Sequence, residues 1–295
     1  MRRNFLLIPH LKIHNANAMS SPFTIGFPAM TAWLGAVHAL QRYLNQNGFE
    51  KLELSSVAVS CHDFNLQTYR GFGDYVNSIK ATANPLDKDG KRPAFIEEAR
   101  CHLEVSLLIE FKEINPIDLE KSKKIIDDQL YKMKFASGDV LSCRAVEIFS
   151  NINEDNEKDV RKIKRKLMLG NVLIERRDLI TKSMQEDGRD TLDVLLDHLK
   201  IMHRCTTEDD NVLWTSKKKE AGWLVPISVG FQGISDLGFA KNQRDPKVPH
   251  RFAESVVTLG EFVMPNKIKD LDHMLWQYHV DQEKSLYLCQ TINQI

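Results

Sequence analysis

Between Phe5 and Ser150 the apolar residues switch repeatedly between two spacings, every second residue and every third or fourth. This switching restricts the fold more than any other feature, because the first spacing belongs to strands and the second to helices. Phe5–Ile13 is a short apolar run whose Pro9 marks a sheet edge or a bulge, since proline cannot donate to a ladder. Met30, Trp33, Leu34, Val37, Leu40 and Leu44 share one side of an amphipathic helix, with Pro28 at its first turn. Lys51–Leu66 reads as a strand, and a polar, turn-rich excursion follows over about residues 67–98. Ala99–Ile114 is the clearest strand of the chain. Asn115-Pro116 opens a helix that reaches Met133, and Gly138–Ser150 returns as a strand. The order β-α-β, excursion, β-α-β predicts an α+β fold with a ferredoxin-like or RRM-like core, in which two helices cover one face of an antiparallel sheet.

The remainder divides in two. Residues 151–210 read as a helical insertion without a convincing strand, its clearest helices being Lys158–Leu169 and Asp190–Met202. Residues 211–295 read as a β-rich part packing on the core of residues 1–150, with strands at Trp223–Phe231, Val256–Met264 and Ser285–Thr291. Trp276 follows Leu271, Met274 and Leu275 at helical spacing and is expected in the core, as is Trp33.

Charge is balanced, 40 basic residues against 40 acidic among 295. A free-standing nucleic-acid binder usually shows a basic excess, so the balance argues against one, while it is compatible with a subunit that holds RNA in one local groove and meets protein elsewhere. Cys61, Cys101, Cys143, Cys205 and Cys289 are scattered singly, which points to reduced thiols in a cytosol. No run has the length of a membrane span, and Phe5–Ile13 is too interrupted for a signal-peptide core. A soluble cytoplasmic protein is expected.

Two stretches carry candidate binding chemistry. His14–Pro28 is a small polar loop between a strand and a helix start, where unpaired N–H groups favour anions. Asn15, Asn17, Ser20, Ser21 and Thr24 supply neutral donors and acceptors, although the same residue types also build local turns. The loop lacks a dinucleotide fingerprint and the Gly-Lys-Ser/Thr ending of a nucleotide loop. The second stretch, Lys241–Arg251, is basic and proline-bearing. Lys241, Arg244 and Arg251 are its candidate phosphate contacts, and Phe231 and Phe252 flank it for stacking. Lys158–Lys166 is expected to be a solvated helix face and Lys217–Lys219 a hairpin tip. The dipeptides Cys61-His62 and Cys101-His102 lie on strands, where neighbours point to opposite faces, so neither chelates an ion locally. No metal or cofactor is expected. His10 and His14 are the candidate bases were the chain to cut RNA.

At both ends a family resemblance becomes specific. LLIPHLKIHNANAMSSPFTIGFPAMTAWLGAVHAL near the N-terminus, and RFAESVVTLGEFVMP, LDHMLWQYH and LYLCQT between Arg251 and Thr291, are similar to the second subunit of the type I-F (Csy-type) CRISPR surveillance complex, a Cas-five-like repeat-associated RNA-binding protein. The resemblance implies a non-catalytic subunit that binds the 5′ handle of the CRISPR RNA. It implies pairing with the large, PAM-recognising subunit, contact with the backbone-filament subunit, and recognition of target DNA indirectly through guide pairing. The alternative is a CRISPR RNA-processing endoribonuclease on the same fold, with His10 or His14 as base.

Overall fold

The first strand is longer than its apolar run. In the computed structural model, which describes residues 2–80, 85–92, 98–208 and 211–292, β1 spans Arg2–Asn17. Its buried residues on one side are Leu6, Ile8, Leu11, Ile13 and Ala16, a spacing that a regular strand cannot keep on one face. Two bulges reset the alternation, between Ile8 and Leu11 and between Ile13 and Ala16, with His10 and Asn15 at positive φ. Pro9 sits in the first bulge, as its missing N–H requires. The segment expected to be loop from His14 is therefore strand as far as Asn17, followed by a small hairpin of β2 (Met19–Ser21) and β3 (Thr24–Ile25).

The next elements follow the expected order: α1 (Met30–Gln46), β4 (Glu53–Leu66), the short pair β5 (Thr68–Tyr69) and β6 (Ser78–Ile79), then β7 (Arg100–Lys112). Pro28 precedes the helix rather than entering it, since Ala29 is the cap. The second helix is broken at Ser122 into α2 (Pro116–Lys121) and α3 (Lys123–Leu130). The last strand of this part is divided into β8 (Lys134–Phe135), β9 (Gly138–Ser142) and β10 (Glu147–Asn153), and β9 and β10 both pair with β1. Pairing runs β4–β7–β1–β10, antiparallel throughout. The α1, α2 and α3 side chains pack on one face of these strands, with Trp33, Leu40, Ile126 and Leu130 against Leu103, Val105 and Ile109.

The opposite face is only half covered. α4 (Glu157–Leu167) lays Val160, Ile163 and Leu167 on Phe5, Leu7, Ala58 and Leu108. Beyond α4 lies β11 (Asn171–Glu175), a strand inside the segment expected to be helical. Then come α5 (Arg177–Asp187), α6 (Thr191–Leu199), and a hairpin of β12 (Ile201–Glu208) with β13 (Asn211–Lys218). Lys217 and Lys218 end β13 rather than forming the hairpin tip. β14 (Trp223–Gly233), β15 (Ala253–Val263), β16 (Trp276–Asp281) and β17 (Leu286–Thr291) complete the large sheet. Trp276 is thus in a strand; the helical spacing of Leu271, Met274 and Leu275 belongs to a short 3-10 turn leading into it.

These strands join the first four by a pairing path that returns on itself: β4–β16–β17–β14–β15–β11–β4. β11 and β16 both use the edge of β4 opposite β7, at Ser60–Cys61 and at Val57. Trp276, fully buried, donates from Nε1 to the Leu173 carbonyl at 2.9 Å across this junction. No helix of the described residues is long and apolar enough to cross a membrane.

Candidate nucleic-acid interface

The two predicted binding stretches both adjoin β14, at different places: Phe27, just after the hairpin, packs on Phe262, the partner of Trp223 at the start of the strand, while the basic segment leaves from its end. The β2–β3 hairpin packs on β14, the strand that carries Phe231. Within the hairpin the hydroxyls of Ser20 and Ser21 each meet Thr24 Oγ1 at 2.8 Å, and Ser21 Oγ accepts from the Phe23 N–H. Ser21 and Thr24 are buried, so these side chains hold the turn together. Asn17 closes a local ring with the Met19 backbone, its amide donating to Met19 O and its Oδ1 accepting from Met19 N–H, both at 3.1 Å. Asn15 and Asn17 are the exposed members of the set.

The segment joining β14 to β15 keeps Lys241, Arg244, Lys247 and Arg251 exposed together with Phe239 and Phe252. Gln243 organises it more than the prolines do. Its Oε1 accepts from Ala240 N–H, and its Nε2 donates to the carbonyls of Asp245 and Val248. Arg251 lies along the backbone of Gly233, where a Cβ would come within 2.4 Å of Arg251 Cδ. Glu261, one potential partner for Arg251, is taken by Arg176.

A third cluster escaped sequence reasoning. On the uncovered half of the face opposite α1, His10 stacks on His62 with ring centroids 4.3 Å apart, and His14 stacks on His102 at 4.1 Å. Glu104 Oε1 meets His10 Nδ1 at 2.7 Å, and Ser106 Oγ meets His62 Nε2 at 2.7 Å. Three separate strands supply these groups, so only the register of β1, β7 and β4 reveals them. The expected opposition within each dipeptide holds: Cys101 is in the core on the α1 side while His102 is on this open face. Gly170 roofs His62, since a Cβ there would fall 2.9 Å from His62 Nδ1.

Burial pushes the His62 pKa below its usual 6.5, and the neighbouring His10 and Arg144 push the same way against the opposing pull of Glu104. A histidine that resists protonation when folded supports stability above its unfolded value, and that support is lost as pH falls through 6.5 toward the lower folded value. Buried His198 and partly exposed His102 shift in the same direction, each chiefly through desolvation. Denaturant midpoints are therefore expected to fall between pH 7 and pH 5.5, and His62→Gln to flatten part of that slope. An unchanged slope in the variant would remove His62 from the account.

Among the described residues, Glu154, Asp270 and Asp272 bring carboxylate oxygens within metal-ligand reach of one another. Arg3 already answers two of them, donating from Nη1 to Glu154 at 2.6 Å and to Asp272.

The family model described as CRISPR-associated protein (Cas_Csy2) matches residues 6–289. A curated relative, "CRISPR-associated protein Csy2" of Pseudomonas aeruginosa (strain UCBPP-PA14), is 33% identical over 308 aligned residues, covering 96% of this chain and 93% of the relative. The chain belongs to the Csy2 family. The resemblance of the two terminal blocks to the second subunit of the type I-F complex thus extends over nearly the whole chain, including the poorly patterned middle. The matched span takes in β1 with its bulges, the uncovered histidine face and the β14–β15 segment.

Proposed function

We propose that this chain is the non-catalytic, CRISPR RNA-holding subunit of a type I-F surveillance complex acting against foreign DNA. It grips the 5′ handle of the RNA, pairs with the large PAM-recognising subunit, touches the backbone filament, and reads the target DNA sequence indirectly, through the guide. It works in the cytoplasm. The reading of residues 1–150 as a ferredoxin-like or RRM-like core is supported by the antiparallel order β4–β7–β1–β10 with α1, α2 and α3 on one face.

One observation carries the RNA reading: cations and exposed aromatic rings occur together on the β14–β15 segment. Lys241, Arg244 and Arg251 supply phosphate contacts, Phe231 and Phe252 supply stacking faces, and Asn15 and Asn17 supply neutral hydrogen bonds. Ser20, Ser21 and Thr24 shape the hairpin that presents them. Single-stranded RNA is held by such mixtures.

Salt titration of handle binding by the complex tests this. Each lost phosphate contact lowers the slope of log affinity against log salt by about 0.7 for a single strand. Lys241→Ala, Arg244→Ala and Arg251→Ala are each expected to lower it, while a triple alanine at Lys217–Lys219 leaves it alone. Unchanged slopes in all three single variants would overturn the reading.

One geometry favours a second reading, an RNA-processing endoribonuclease. His10 is oriented by a carboxylate, with Nδ1 on Glu104 and the stacked His62 beside it. A base held in this way suits proton abstraction from a 2′-OH. Incubation with unprocessed repeat RNA separates the readings: discrete products abolished by His10→Gln would establish the second, and intact RNA the first.

A further inference from the structure

Charge is balanced over the chain but not over α4. Its outward side carries Lys158, Arg161, Lys162, Arg165 and Lys166, all exposed. The acids Glu157 and Asp159 lie at its start, and Asp159 is turned to the Asn153 N–H. Arg161 approaches Glu157 only at 3.8 Å, and Lys166 pairs with Glu147 at 2.6 Å. Among the described residues, Lys158, Lys162 and Arg165 have no carboxylate within 4.0 Å. They are spaced i, i+4, i+7 and so share one side of the helix.

Helix stability does not account for them. Cations in the last turn suit the helix dipole, which explains Arg165, but Lys158 stands in the first turn, where a cation opposes it. Arg161 and Arg165 also line a cleft of about 410 Å³ with Lys164 and Lys269, so the cationic surface continues onto the segment between β15 and β16. Two acids, Glu154 and Glu157, stand among these cations; Glu154 shares Arg3 with Glu110 and Asp272, and Glu157 faces Arg161.

Among the described residues no exposed aromatic lines this surface. Its ring, Phe149, is buried beneath Lys162, whose ammonium sits 5.4 Å from the ring centroid. Cations with stacking faces suit an unpaired strand; cations without them suit a polyanion whose bases are hidden.

We infer that the outward face of α4 docks the phosphate backbone of double-stranded DNA, independently of sequence. The contact is direct, and it is separate from the handle-binding surface on β14 and its loop. It does not rest on the handle reading.

The test uses the assembled ribonucleoprotein carrying Lys158→Gln, Lys162→Gln and Arg165→Gln together, with a duplex of unmatched sequence as probe. Each lost backbone contact lowers the salt slope by about 0.9 for a duplex, so a total of about 2.7 is expected. The amount of CRISPR RNA retained and the subunit ratio are expected to match the parent complex. A control triple at Lys121, Lys124 and Lys132, on and just after α2–α3, is expected to leave the slope unchanged. Four results would each overturn the inference: an unaltered duplex slope, an equal loss in the control triple, loss of bound RNA, or loss of a partner subunit. The last two would assign this face to RNA or to protein.

Discussion

Glu110→Ala is expected to lower the unfolding free energy by about 3–5 kcal/mol, the usual cost of removing one partner of a buried ion pair. Glu110 lies on β7 and is 6% exposed. Its carboxylate accepts from Arg3 Nε at 2.8 Å and Nη2 at 2.9 Å, a bidentate clasp, and from the Ser56 hydroxyl at 3.0 Å. Burial works against ionisation of Glu110, but Arg3 and Ser56 outweigh it and hold the carboxyl below its usual range. The same contest holds at Arg3: burial opposes its charge, while Glu110 and Asp272 raise its pKa. Alanine leaves the guanidinium with only Glu154 and Asp272, so the loss is expected toward the lower figure. The double replacement Arg3→Met with Glu110→Leu removes both charges of the pair but also takes the guanidinium from Glu154 and Asp272, so it is expected to recover only part of the stability. Denaturant unfolding of the parent and the two variants measures this. A single variant within about 1 kcal/mol of the parent would show that the pair contributes little. Since the Glu110 pKa is lowered on folding, its contribution is present above the unfolded carboxylate value and fades as pH falls through the folded one.

Trp276→Ala is expected to cost a comparable 3–5 kcal/mol, through lost transfer energy and the cavity left behind. The ring is fully buried where β16 meets β4 and β11, and its N–H satisfies the Leu173 carbonyl. Trp276→Phe keeps most of the volume and loses the hydrogen bond, so it is expected to cost about 1–3 kcal/mol. A midpoint shift without a change in denaturant dependence would mark both as native-state effects. An alanine variant as stable as the phenylalanine one would mean that the junction collapses around the gap.

Both residues show how far the sequence could be read. The β-α-β order was legible because α1 and β7 are long and strongly periodic, and Pro9 announced its bulge by chemistry. The extension of β1 to Asn17 was hidden, because two bulges convert a strand into apolar spacings of two and three. β11 has five residues, too few for alternation to stand out beside the helices around it. Trp276 was misassigned since a 3-10 turn mimics helical spacing over one turn. Of the candidate interface, Lys241, Arg244 and Arg251 were visible as a basic loop, whereas Gln243, its internal tie, looked like any polar residue. The paired imidazoles were invisible, because His10, His62 and His102 are brought together only by the register of three strands.

The closed pairing path has a consequence for biosynthesis. β17 lies between β14 and β16, yet it is translated after every other strand of the sheet. While the ribosome is still making it, β14 offers one unpaired edge, and β16 has only its contact with β4. The nascent chain therefore carries open hydrogen-bonding rows until Leu286–Thr291 emerges, and open rows recruit other strands. Emergence of β17, rather than of the core, is the step that closes these rows.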